Sequence, residues 1–230
     1  MSATAVQLPA GSLRFWQTTV GKKAIMAITG LLLFLFVVGH MAGNLQIFEG
    51  PEKINKYAAL LKSLPALLWT TRIVLLAAVI LHIWSSWQLW LLQRAARPIG
   101  YIKKANINST YASRTMQWSG PILLAFLIWH LLQFTFGAVH PGAPFVEHDV
   151  YNNVVLGFQV WPVSLFYIIA MSMLCYHLYH GLWSMFQSLG FSHPVYTPIL
   201  KVLAKVVAIV LAIGYISIPV AVLAGLIKPV

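Results

Sequence analysis

The sequence predicts an all-α integral membrane protein with five transmembrane helices. Hydrophobic residues make up 60% of its 230 residues and charged residues only 8%, which is about a third of the charged share of a soluble domain. The apolar residues gather in five runs, each long enough for the helix of about 20 residues that crosses a bilayer. Because five spans and their connections use up the chain, we expect a single membrane domain over residues 1–230.

The five predicted spans are separated by polar segments that contain glycine or proline. Lys22 and Lys23 precede the first span, and Gly50 and Pro51 follow it. No long tandem repeat or low-complexity tract is visible. The predicted spans cover about residues 24–48, 64–92, 116–139, 161–189 and 199–227.

The charge and the cysteine content exclude several functions. The net charge is +11, but the basic residues lie at the ends of apolar runs and do not form one patch with interleaved aromatics, which disfavours nucleic-acid binding. The single cysteine, Cys175, lies inside an apolar run, so neither a disulfide framework nor a cysteine-ligated cluster is expected. The first run lacks a small-residue cleavage site, so we expect a retained span and not a signal peptide.

The distribution of basic residues predicts the orientation of the chain. With the N-terminus inside, ten lysines and arginines lie in inner segments and five in outer segments. The excess favours an inner N-terminus and an outer C-terminus. All four acidic residues then lie outside: Glu49, Glu52, Glu147 and Asp149.

Four histidines lie inside the first four predicted spans, one in each, and ionisable residues inside a bilayer mark functional sites. With a rise of about 1.5 Å per residue, His40 and His130 lie roughly 25 Å beyond the inner ends of their spans. His82 and His177 lie in helices that run the other way, roughly 22 to 25 Å from the outer ends. The histidines therefore form an outer and an inner level, somewhere between about 12 and 20 Å apart.

Two stacked haems, each held by two histidines, satisfy this geometry. An imidazole on each face gives a low-spin, six-coordinate iron suited to electron transfer and not to oxygen activation. We therefore predict that the first four spans form a bundle around two b-type haems, with His40 and His130 on the outer haem and His82 and His177 on the inner one. His180 is the alternative to His177, because it lies on nearly the same helix face.

Other residues near these histidines have less specific interpretations. Small residues beside the predicted ligands could let a flat macrocycle approach, or could simply permit close helix packing: Gly39, Gly43, Ser85, Ser86 and Gly181. Three histidines in loops or at the interface are expected to be solvated: His140, His148 and His193. Four tryptophans at span ends are typical of an interfacial belt: Trp16, Trp69, Trp118 and Trp161.

Several segments resemble a known family. They are Gly21-Lys-Lys-Ala-Ile-Met-Ala-Ile-Thr-Gly30, Gly39-His40-Met-Ala-Gly-Asn44, Leu81-His82, Ser113-Arg114-Thr115, Trp129-His130 and Tyr176-His177-Leu-Tyr-His-Gly181-Leu-Trp-Ser184. Together they are similar to the single-chain dihaem cytochrome b subunit of succinate dehydrogenase and fumarate reductase. In that family the fourth ligand precedes a Gly-Leu-Trp-Ser-like segment by four residues, which implies His177 and not His180.

The resemblance implies the membrane-anchor subunit of a succinate:quinone oxidoreductase, active in the respiratory chain and the tricarboxylic acid cycle. A flavoprotein with covalent FAD and an iron–sulfur protein would dock on the inner face of a bacterial-type cytoplasmic membrane and carry the dicarboxylate chemistry. This chain would bind no dicarboxylate; it would exchange electrons between the iron–sulfur subunit and a membrane quinone, expected to be menaquinone. The inner N-terminal segment and the basic loop from Arg94 to Arg114, which includes Lys103 and Lys104, are the expected docking surface.

Three other classes compete with this interpretation. The cytochrome b subunits of membrane hydrogenases and formate dehydrogenases share a basic inner face, and the partner that co-purifies would distinguish them. A Rieske-type complex cytochrome b takes its four ligands from two helices, which one histidine in each of four helices disfavours. A proton-coupled transporter could use the histidines without haem, and a visible absorption spectrum would separate that class from the others.

The expected quinone site lies near the outer haem. A haem at each level is useful if electrons cross most of the membrane, and no predicted span contains a carboxylate that could relay protons inward. The residues expected at this site lie at the outer ends of the first two spans: Asn44, Trp69 and Arg72.

Overall fold

The computed structural model describes residues 14–97, 99–100, 102, 106 and 109–230. Over these residues the chain forms seven α-helices and two short 3-10 helices, without strands. Five of the helices are long and apolar enough to cross a membrane, which confirms the prediction of an all-α chain with five candidate spans. The expectation for Lys103 and Lys104 falls outside the described residues.

The five long helices alternate with two short ones. The short helices follow the first and third long helices and were not predicted from the sequence. The long helices are α1 (Thr19–Asn44), α3 (Pro65–Ala95), α4 (Tyr111–Phe134), α6 (Trp161–Ser188) and α7 (Tyr196–Leu223), and the short ones are α2 (Pro51–Lys62) and α5 (Val150–Gln159). The 3-10 helices are Phe15–Gln17 and Leu45–Glu49.

Helix α4 begins and ends earlier than the predicted span 116–139. It begins at Tyr111 because the Thr110 hydroxyl accepts a hydrogen bond from the Ser113 backbone N–H, as an N-cap does. Its regular part ends at Phe134, and Gly137 adopts a positive φ of 63°. A β-carbon at Gly137 would lie 2.7 Å from the Phe145 ring, so the chain turns tightly against the following loop.

Helices α2 and α5 form a cap over one end of the bundle together with the last residues of the chain. The Asn55 amide donates to Asp149 Oδ1 at 3.2 Å, and its carbonyl accepts from the Tyr151 backbone N–H at 3.0 Å. Asn152 and Val230 exchange two hydrogen bonds of 3.1 Å. The cap therefore ties three separate parts of the chain together.

Asp149 is the acidic residue at the centre of this cap. Its side chain accepts from the backbone N–H of Asn152 at the start of α5. Partial burial raises the pKa of Asp149, but the hydrogen bonds from the Asn152 side chain and backbone and from the Asn55 side chain outweigh that effect, and the pKa is lowered. The ionised carboxylate therefore stabilises the folded cap.

The long helices pack as two hairpins. Helix α1 lies along α3, α4 lies along α6, and the hairpins meet where α1 contacts α6; α7 packs mainly against α6. The diagonal neighbours, α1 with α4 and α3 with α6, do not pack closely along their lengths. Contacts between these diagonal helices are therefore made by side chains and not by close approach of the helix backbones.

Candidate functional site

The four intramembrane histidines meet in two pairs across these diagonals. His40 on α1 faces His130 on α4 with ring centres 5.8 Å apart, and the ring planes are 85° apart. His82 on α3 faces His177 on α6 with ring centres 6.2 Å apart. Each pair joins the two helices that do not otherwise pack closely.

The distance within each pair matches the space that one metal ion occupies between two imidazoles. A first-row metal lies about 2 Å from each ligating nitrogen, and the ring centre lies about 1 Å farther, so two rings on opposite faces of one ion have centres about 6 Å apart. No hydrogen bond joins the rings within either pair in the part of the chain that the structure describes. The histidines therefore approach each other without contacting through their nitrogens.

The two pairs lie at separate levels. Thr29 on α1 contacts His82, and eleven positions later the same helix carries His40; on α4, Ser119 contacts His177 and His130 follows after eleven positions. Eleven residues correspond to roughly 16 Å along a helix. Both helices give the same separation, which falls within the range expected from the sequence.

The hydrogen bonds of His82 fix the position of its proton. Its Nδ1 lies 3.1 Å from the Met26 carbonyl oxygen and 3.3 Å from the Thr29 hydroxyl. A carbonyl oxygen can only accept, so Nδ1 carries the hydrogen and Nε2 keeps a lone pair. Thr29 also accepts here, because its own proton goes to the Ile25 carbonyl at 2.7 Å.

His177 and His130 also have partners at Nδ1. Ser119, which is completely buried, lies 3.2 Å from Nδ1 of His177. The Tyr167 hydroxyl lies 3.4 Å from Nδ1 of His130 and donates to Gln133 Oε1 at 3.0 Å. In three of the four histidines, Nδ1 is therefore engaged by the protein, as it is in histidines whose Nε2 binds a metal.

The surroundings of the His40/His130 pair are aromatic. Phe36 stacks on His40 at 5.2 Å, and Phe126 stacks on His130 at 5.7 Å, one helical turn before each histidine. Tyr215 of α7 lies 6.4 Å from His40 and donates its hydroxyl proton to the Val37 carbonyl at 2.6 Å. These rings give the pair a largely apolar set of neighbours.

The small residues that were expected beside a macrocycle have two kinds of surroundings. A β-carbon at Gly39 or Gly181 would meet nothing within 4 Å, so both positions border open space. At Gly43 a β-carbon would lie 2.7 Å from the Tyr57 ring. Ser85 is completely buried and donates to the Leu81 carbonyl of its own helix, so Gly43 and Ser85 serve helix packing and helix hydrogen bonding.

The remaining predicted residues lie apart from the two pairs. His180 contacts Trp183 at 5.4 Å between ring centres, while His177 is the residue that faces His82. Trp69 is 59% exposed, and the Arg72 guanidinium lies 5.1 Å over its ring. Asn44 ends α1, one turn beyond His40. Their roles as an alternative ligand or as a quinone site stay predictions.

A buried polar cluster beside His130 was missed by the sequence analysis. Gln133 is completely buried, and its Oε1 accepts from Trp129 Nε1 at 2.9 Å and from the Tyr167 hydroxyl at 3.0 Å. Its Nε2 has no hydrogen-bond partner among the described residues. The signal available in the sequence was a glutamine three residues after His130 near the end of an apolar run.

The donor set tests which metal group the pairs could hold. Each pair offers two imidazoles, and no group of three or more His, Cys, Asp or Glu side chains that could hold a metal ion occurs among the described residues. A zinc ion in a structural site takes four protein ligands, whereas a haem brings most of the donors to its iron itself and would need only the two imidazoles of one pair. Two imidazoles about 6 Å apart beside open space at Gly39 and Gly181 therefore fit a haem.

Comparisons with known proteins give no match: neither a family model, nor a curated protein, nor a solved structure matches this chain.

Proposed function

We propose that this chain is a dihaem cytochrome b that carries electrons across the membrane as the anchor subunit of a succinate:quinone oxidoreductase. The observation that carries the proposal is the meeting of four intramembrane histidines in two pairs, with ring centres 5.8 and 6.2 Å apart. Haem iron, when bound, supplies reversible one-electron transfer. The assignment to succinate and quinone rests on the resemblance described above.

In this proposal, the histidines bind the iron and the surrounding residues orient them. His82 and His177 would ligate one haem and His40 and His130 the other, each through Nε2. Thr29, Ser119 and Tyr167 would accept the Nδ1 protons, and the aromatic rings around His40 and His130 would keep water away from that pair.

Four histidine variants test the ligand assignment. In the purified complex, replacing His40 or His130 by alanine should remove the same haem signal, and replacing His82 or His177 should remove the other, as measured by pyridine haemochrome content and low-temperature spectra. His180→Leu is the matched control, since it changes a neighbouring histidine of the same helix and should leave both signals. Loss of different haems from the His40 and His130 variants, or a wild-type complex with fewer than two haems, would contradict the proposal.

The orientation and the partners belong to the same proposal. The N-terminus lies inside, the flavoprotein and iron–sulfur subunits dock on the inner face, and the His82/His177 haem lies nearer to them. Co-purification tests the partners: a hydrogenase or formate dehydrogenase subunit in place of a flavoprotein would select the competing class.

We place the quinone reaction near the His40/His130 level. The acidic residues Glu49, Glu52 and Asp149 lie in or beside the cap formed by α2 and α5, beyond the end of α1 that carries His40, so groups that exchange protons with water lie at that end. Electron transfer from the opposite side would then move charge across the membrane and be electrogenic. Each charge moved across is worth about 2.3 kcal/mol per 100 mV.

The quinone site has its own test. Asn44→Leu, Trp69→Leu and Arg72→Ala should lower quinone turnover while both haems remain, and Trp118→Leu, an exposed tryptophan on another helix, is the control. Two results would place the reaction at the other level. One is a quinone-site inhibitor beside His82 in a structure of the complex, and the other is a succinate-to-quinone rate in sealed vesicles that does not change when an uncoupler is added.

A further inference from the structure

Helices α1 and α4 carry the same short motif. Residues 29–40 follow the pattern Thr-Gly-x5-Phe-x3-His, and residues 119–130 follow the pattern Ser-Gly-x5-Phe-x3-His. In both helices the phenylalanine stacks on the histidine that ends the motif. Eleven residues correspond to about three turns of helix, so the first and last residues of the motif lie on one face, at two levels.

The hydroxyl that begins each motif contacts a histidine of the other helix in its own hairpin. Thr29 of α1 lies 3.3 Å from Nδ1 of His82 on α3. Ser119 of α4 lies 3.2 Å from Nδ1 of His177 on α6. Thr29 is buried and Ser119 is completely buried. The two hairpins therefore repeat one arrangement, in which the first helix supplies a histidine at one level and a hydroxyl to its neighbour's histidine at the other.

We infer that Thr29 and Ser119 are paired positioning residues that hold His82 and His177 with the proton on Nδ1, so that Nε2 of both rings is available as a ligand. The part of this inference that concerns iron rests on the proposed function, whereas the proton position does not. It concerns only the His82/His177 site, because the other pair lacks this arrangement: His130 meets the Tyr167 hydroxyl, and His40 has no hydrogen bond among those found in the described residues.

The two hydroxyls are not equivalent, so the loss of each should affect its histidine to a different extent. His82 has a second acceptor, the Met26 carbonyl at 3.1 Å, which does not depend on the Thr29 side chain. Ser119 is the one hydrogen-bond partner found for His177 among the described residues. Loss of Ser119 should therefore free its histidine, whereas loss of Thr29 should only weaken the restraint on His82.

The chemical effect has a definite direction. An acceptor on Nδ1–H makes the imidazole a stronger electron donor at Nε2, and a stronger donor stabilises the oxidised iron. Its removal should raise the midpoint potential of that haem. Loss of such a partner commonly weakens metal binding by about 10- to 100-fold, so the haem at this site should also leave the protein faster.

The first experiment measures the two haems in the purified complex. Ser119→Ala should raise the midpoint potential of the haem that His177→Ala removes and speed its transfer to excess apomyoglobin by about 10- to 100-fold, without shifting the other haem. Thr29→Val should shift the same midpoint potential in the same direction by a smaller amount. Ser119→Thr, which keeps the hydroxyl, should keep the wild-type potential and transfer rate. Ser172→Ala is the matched control, because its hydroxyl donates only to the Ile168 carbonyl of its own helix. Equal shifts of both haems, or no shift with Ser119→Ala, would overturn the inference.

The second experiment reads the proton position directly. Solid-state NMR of protein labelled with ¹⁵N-histidine should show His177 with its proton on Nδ1 in the wild type and a mixture of tautomers in Ser119→Ala, whether or not haem is bound. An unchanged His177 tautomer in that variant would refute the positioning role. A wild-type protein without haem but with the expected tautomers would refute the proposed function and leave the positioning role standing.

Discussion

The polar cluster at Gln133 offers a test of the packing between α4 and α6. Gln133→Leu keeps the side-chain volume but leaves Trp129 Nε1 and the Tyr167 hydroxyl without their acceptor. Hydrogen bonds between membrane helices contribute about 0.6 kcal/mol on average and up to about 1.7 kcal/mol. Only the bond from Tyr167 joins α6 to α4, since Trp129 lies on the same helix as Gln133. The loss of this interhelical bond should destabilise the fold by about 0.6 to 1.7 kcal/mol.

An opposing effect makes the single variant uninformative. Nε2 of Gln133 is buried without a hydrogen-bond partner in the described part of the chain. Such a group costs about 1 to 3 kcal/mol, a cost that leucine would relieve. A double-mutant cycle with Tyr167→Phe removes this offset, because the relief appears in both arms of the cycle. We expect a coupling free energy of about 0.6 to 1.7 kcal/mol between Gln133 and Tyr167, which lie on different helices.

Unfolding of the four proteins in mixed detergent micelles measures this coupling. A parallel cycle of Gln133→Leu with Trp129→Phe tests the bond within α4 and should give coupling of the same sign. A control cycle with Ser172→Ala, whose hydroxyl bonds within its own helix, should give coupling near zero. Zero coupling between Gln133 and Tyr167 would show that the cluster does not hold α4 against α6.

Two further predictions concern the cap and the helix packing. Because the pKa of Asp149 is lowered in the folded cap, its contribution to stability is present above the ordinary aspartate range and is lost as the pH falls through the lowered pKa. Amide exchange of α5, corrected for intrinsic rates, should therefore show less protection at acid pH in the wild type and no such change in Asp149→Asn. Equal pH dependence of exchange in both proteins would refute the role of Asp149. Gly43→Ala should destabilise the protein by about 1 to 3 kcal/mol, because its β-carbon would lie 2.7 Å from the Tyr57 ring. In haem-free protein, Gly39→Ala should have little effect on unfolding, because its β-carbon would meet none of the described protein atoms within 4 Å. Similar losses in both variants would contradict the packing at Gly43.

The features that depend on composition and on position within one helix could be predicted from the sequence. Five apolar runs gave five long helices, because length and hydropathy suffice to identify a helix that can cross a bilayer. The depths of His40, His82, His130 and His177 followed from the constant rise of a helix. His40 lies near His130 and His82 near His177 in the structure, while their roles as haem ligands stay predictions.

The features that depend on contacts between helices could not be predicted in this way. Helices α2 and α5 are short and only partly apolar, and their stability comes from mutual contacts such as Asn55 with Asp149. The start of α4 depends on one hydroxyl, that of Thr110, which hydropathy does not register. Thr29 and Ser119 are ordinary small residues in a membrane helix until the structure sets them beside the histidines of α3 and α6.

Because α1 and α4 share one spacing, the distance between the two histidine levels is set by a whole number of helical residues. Since each residue turns a helix by about 100°, inserting a single residue between Ser119 and His130 would swing one of them about a quarter of a turn away from its partner. Only insertions of three or four residues, or of multiples of a turn, would return both side chains to the same face, and they would lengthen the separation by about 5 Å. The distance between the two histidine levels can therefore change in steps but cannot be tuned continuously.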